Sequence, residues 1–76
     1  MKKRNEMRHF YIIGLRSLFN GLRRHMKSGS SPSVIYMKTS EIDGYIMSGF
    51  YTEIISNDEY HKIGDIATKL YLNYLK

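Results

Sequence analysis

Six apolar residues constrain the first third of the chain more than any other feature. Met7, Tyr11, Leu15, Leu18, Leu22 and Met26 recur at spacings of four, four, three, four and four. That is the period of one face of an α-helix, and it predicts a helix from about Asn5 to Lys27. Phe19 widens the stripe. Gly14 and Gly21, seven apart, fall on nearly one side. Each costs about 1 kcal/mol of helix propensity relative to alanine, so either another backbone approaches there or the helix is weak or kinked.

The opposite face of this helix is basic. Arg16, Arg23, Arg24 and Lys27 lie together with His9, and Lys2, Lys3 and Arg4 form a basic tail before the helix. With Arg8, the first 28 residues hold eight basic side chains against a single acid, Glu6. The remaining residues hold four basic and six acidic ones, so the net charge of +5 conceals a split of +7 and −2. Such asymmetry points to an anionic partner on one side of the molecule.

Ser28-Gly29-Ser30-Ser31-Pro32-Ser33 is a breaker, expected as a loop over 28–33. Val34 to Thr39 is rich in β-branched and aromatic residues and reads as a strand. The 40–44 segment ends in Asp43-Gly44, which is turn chemistry. Tyr45 to Ile55 reads as a second strand, with a bulge or short hairpin at Ser48-Gly49. Ser56 with Glu59 matches a capping box, and Ile63, Ile66, Ala67, Leu70 and Tyr74 follow at helical spacing. The expected fold is therefore α+β: a small two-layer helix-strand-strand-helix domain over 1–76, both helices on one face of an antiparallel hairpin. In that fold Tyr45, Met47, Tyr51 and Ile55 point one way and Ile46, Phe50 and Ile54 the other. Tyr36, Tyr45, Phe50 and Tyr51 would thus supply core, dimer or stacking surface, and the helices would leave an apolar second sheet face. It would be covered by a second copy of the chain, by a partner, or by stacked bases. A homo-oligomer is expected on that ground.

Several function classes recede. There is no cysteine, and His9, His25 and His61 are dispersed, so neither a disulfide nor a metal site is expected. No apolar run exceeds four residues, so no membrane-spanning segment is expected. Arg16 interrupts any signal-peptide core, and a cytoplasmic chain is expected. An interfacial membrane helix is disfavoured because so small a domain needs the leucine stripe for its core. Asp58, Glu59 and His61 read as a helix cap followed by a surface histidine. His9 and His25 are about 24 Å apart along one helix and cannot share a scissile phosphate. No glycine-rich phosphate loop is present. The expectation is a protein that is no enzyme and takes no cofactor.

The basic MKKRNEMR start, the Ile/Tyr/Asn/Lys-rich composition and the helical ending at Tyr71-Leu72-Asn73-Tyr74-Leu75-Lys76 give the chain a style. In that style it resembles the small accessory proteins of tailed phages and mobile elements, which serve host takeover or counter-defence. The resemblance implies a protein that binds and blocks a host enzyme or defence component, or neutralises a toxin. From the residues themselves, the leading expectation is a nucleic-acid-binding regulator, with RNA favoured over DNA. The alternative partner is an acidic host protein surface.

Overall fold

The computed structural model describes residues 2–76, with side chains from Asn5 onward. Three α-helices follow one another: α1 over Lys2–Lys27, α2 over Pro32–Tyr51 and α3 over Asn57–Leu75. No strand occurs among the described residues, so the α+β helix-strand-strand-helix expectation is corrected to an all-α bundle.

Both segments expected as strands belong to α2 and the turn after it. The cause is visible in what α2 buries. Ile35, Thr39, Ile42, Ile46 and Gly49 face inward at spacings of four, three, four and three, a helical period. β-branched residues lower helix propensity by only a few tenths of a kcal/mol each. Burying an isoleucine is worth about 1.5–3 kcal/mol, so packing decides. The start of α2 was written in the breaker itself. Ser31 is the N-cap, its hydroxyl accepting from the Val34 N–H, and Pro32 stands in the first turn, where its missing N–H costs nothing. The loop therefore spans 28–31. Asp43-Gly44, expected as a turn, sits exposed within the helix.

α1 and α2 run antiparallel, with Tyr11 against Gly49 and Gly14 against Tyr45. α2 and α3 are also antiparallel, with Phe50 stacked on Tyr60 and Tyr36 edge-on to Tyr71. α1 and α3 are consequently parallel and flank α2. The body measures 43 × 19 × 14 Å. Its core holds Leu22, Ile35, Ile42 and Ile46, fully buried, with Tyr11, Leu15, Ile55 and Ala67 around them.

Specific polar contacts fix the register. Tyr11 and Tyr45 form a reciprocal clasp: each hydroxyl donates to the other residue's backbone carbonyl, at 3.2 and 2.8 Å, and the rings stack at 4.5 Å. The clasp needs two glycines. A Cβ at Gly14 would lie 3.1 Å from Tyr45 Cζ, and one at Gly49 would lie 2.6 Å from Tyr11 Cε2, with other atoms closer still. Gly21 has nothing near it, so close approach explains only Gly14 of the pair in α1. At the far end Gly29, with φ +73°, closes α1. Its N–H donates to Met26 O and the Ser30 N–H donates to His25 O, a Schellman arrangement. Tyr74 donates from α3 to Ser30 O and ties α3 to this loop. The capping box expected at Ser56 and Glu59 is present in both directions.

Candidate anion-binding surface

The outward face of α1 carries the cations that the sequence grouped. Arg16, Arg23, Arg24 and Lys27 are exposed, and so is His9. None of the four cations forms an ion pair among the described residues. From Arg16 to Lys27 they span about 16 Å of helix. Arg23 and Lys27 are one turn apart, a like-charge pair that costs a few tenths of a kcal/mol in the free protein. Arg23 also lies over the Phe19 ring, 5.8 Å from its centroid, which holds the guanidinium against the helix surface. Arg24 and Lys27 stand in the last turn, where they offset the negative end of the helix dipole. Arg16 lies too far back for that role.

Arg8 stands apart from this group. It donates to Ile54 O at 2.9 Å and to Glu59 Oε1 at 3.1 Å, and it also pairs with Glu59 Oε2. The hydrogen bond from Arg8 holds the Glu59 carboxyl down at about 2, helped by the Ser56 N–H. The same bond raises the Arg8 guanidinium further above its ordinary value. Arg8 thus joins the N-terminus of α3 to α1. The side chains of Lys2, Lys3 and Arg4 lie outside the described residues.

The four aromatic residues expected to supply core, dimer or stacking surface do not form one surface. Tyr45 is turned into the clasp with Tyr11, and Tyr36 edges toward Tyr71. Phe50 stacks on Tyr60 and touches Tyr51 at a tilt, and Tyr36 and Tyr51 are both open to solvent at opposite ends of α2. The sheet face that called for a second copy or for stacked bases does not exist, because α2 distributes these side chains around a helix.

The sequence reading missed a groove. α1 and α3 are braced at one end by Arg8 and Glu59, but along their middle they leave a cleft of about 550 Å³. Ile12, Leu15, Phe19, Ile63 and Ile66 make its apolar lining, and Arg16, Asn20 and Arg23 complete it. No single helix signals such a feature. It exists because α1 and α3 both pack against α2 and so run side by side, which brings Ile12 beside Ile63.

Compared with protein-family models, with curated proteins and with solved structures, the chain matches none. No helix among the described residues is long and apolar enough to cross a membrane.

Proposed function

We propose that this protein is a small, non-enzymatic nucleic-acid-binding regulator of the cytoplasm that grips phosphates with the outer face of α1. One observation carries the reading: Arg16, Arg23, Arg24 and Lys27 are exposed, adjacent and without acidic partners among the described residues. An ordinary solvated helix face mixes signs. This one accepts like-charge repulsion that an anion would relieve. Arginine forks match phosphate oxygens, and lysine adds a point charge.

The grounds for preferring RNA have weakened, since they included an aromatic sheet face. A helix with one free basic face also suits the major groove of B-form DNA, about 12 Å wide. The recognised chemistry is the phosphodiester backbone in either case. A mobility-shift titration with duplex DNA in one arm and single-stranded RNA in the other identifies the source. Neutralising four phosphates predicts a log–log salt slope of about −3 to −4. Absence of binding to both at low salt would remove the proposal.

A further inference from the structure

The groove between α1 and α3 is distinct from the outer basic face, although Arg16 and Arg23 border both. Its lining is mostly apolar, and Ile66 within it is 49% exposed. Arg16 and Arg23 stand on the α1 side. On α3, Lys62 and Lys69 lie four residues before and three after Ile66, so they share its flank. Both are exposed and unpaired among the described residues. Asp65, three residues after Lys62 and four before Lys69, shares the lysines' side of α3 and also lines a different cleft with Asp43, Tyr60 and His61, so the net positive charge of the rim lies on α1. The groove is therefore an apolar trough whose α1 bank is cationic.

Its place in the fold is also specific. α1 and α3 are parallel neighbours of one antiparallel α2, which leaves the fourth corner of an up-and-down bundle empty. We propose that this corner takes an amphipathic, acidic α-helix of a partner protein, whose apolar stripe fills the trough and whose carboxylates meet Arg16 and Arg23 on its rim. A phosphate backbone is a poor occupant, because it would lay charge on isoleucine and phenylalanine side chains. A second copy docked groove to groove would set these cations against their own equivalents. The inference does not rest on nucleic-acid binding.

The test uses the full chain and three fluorescein-labelled synthetic peptides of about 16 residues, long enough to match the trough. The first carries leucine at helical spacing with glutamate on both flanks. The second keeps the leucines and replaces glutamate with lysine. The third scrambles the first, so that charge is kept and the stripe is lost. Saturable anisotropy binding is expected for the first peptide alone. Ile66→Gln keeps a good helix former at a half-exposed position and is expected to weaken it about five- to tenfold. The exposed pair Arg16→Gln and Arg23→Gln gives a second readout, a similar loss with the thermal melt unchanged. Ile66→Gln leaves nucleic-acid affinity unchanged, and Arg24→Glu lowers nucleic-acid affinity while sparing the peptide, so each proposal can fail alone. Equal binding of the scrambled peptide, or no binding of the first, overturns the inference. So does a dimer in sedimentation velocity that Ile66→Gln dissolves, or phosphatidylglycerol vesicles displacing the peptide from the groove.

Discussion

Gly49→Ala should destabilise the fold, although alanine is the better helix former. The substitution gains about 1 kcal/mol of helix propensity. Against it, the new methyl would lie 2.6 Å from Tyr11 Cε2 and closer to the end of the ring. That ring is 8% exposed and stacked on Tyr45, so it has nowhere to go within the core. Overpacking of this kind costs about 1–3 kcal/mol. The displaced hydroxyl also loses its bond to Tyr45 O, worth about 1 kcal/mol. The net loss is about 1–3 kcal/mol, a fall in Tm of about 5–20 °C for a domain of this size. Gly44→Ala supplies the control: nothing lies near its Cβ position, so it should raise stability by about 0.5–1 kcal/mol. Thermal melts by circular dichroism compare the two. In a Tyr11→Leu background the cost of Gly49→Ala should shrink, since the coupling runs through that ring. If Gly49→Ala melts as high as Gly44→Ala, the clasp does not set the α1–α2 approach and the reasoning is wrong.

Further outcomes follow from the same contacts. The Glu59 carboxyl is lowered from 4.5 to about 2, so its contribution is complete above pH 4.5 and disappears as pH falls toward 2. Both partners are over a third exposed, which limits that contribution to about 1 kcal/mol. Denaturant melts of Glu59→Gln should show the step flattened. Arg8→Met should lower stability by a similar amount and leave the salt slope of nucleic-acid binding unchanged, because Arg8 is engaged by Glu59 and Ile54. Burial raises the Tyr11 hydroxyl to about 12, so stability should hold below pH 10 and fall between pH 10 and 12. An alkaline melt series of wild type and Tyr11→Phe separates this loss from lysine deprotonation. Gly29→Ala should cost about 1 kcal/mol in a chemical melt, since φ +73° strains any side chain.

α1 and α3 were legible in the sequence because their signals are local. The stripe from Met7 to Met26 and the capping box at Ser56 each sit within one helix. α2 was misread because its local propensities and its burial pattern disagree. Val34, Ile35, Tyr36 and Thr39 favour a strand one by one, while Ile35, Thr39, Ile42 and Ile46 keep a helical period that the intervening Asp43-Gly44 masks. Ser31-Pro32 was the missed start signal. The cations of α1 were legible as a charge cluster, yet composition alone does not separate Arg8, held by Glu59, from Arg16 and Arg23. The groove depends on α1 and α3 coming side by side on α2, and no short-range pattern encodes that.

The central claim, that the outer face of α1 binds phosphate, is tested most directly by the salt dependence of nucleic-acid affinity in wild type and in Arg16→Glu/Arg23→Glu/Arg24→Glu. Wild type should bind with a log–log slope of about −3 to −4. The triple variant, exposed at all three positions, should keep its helical circular dichroism and lose binding. A flat salt response, or a folded triple variant that binds as tightly as wild type, contradicts the account.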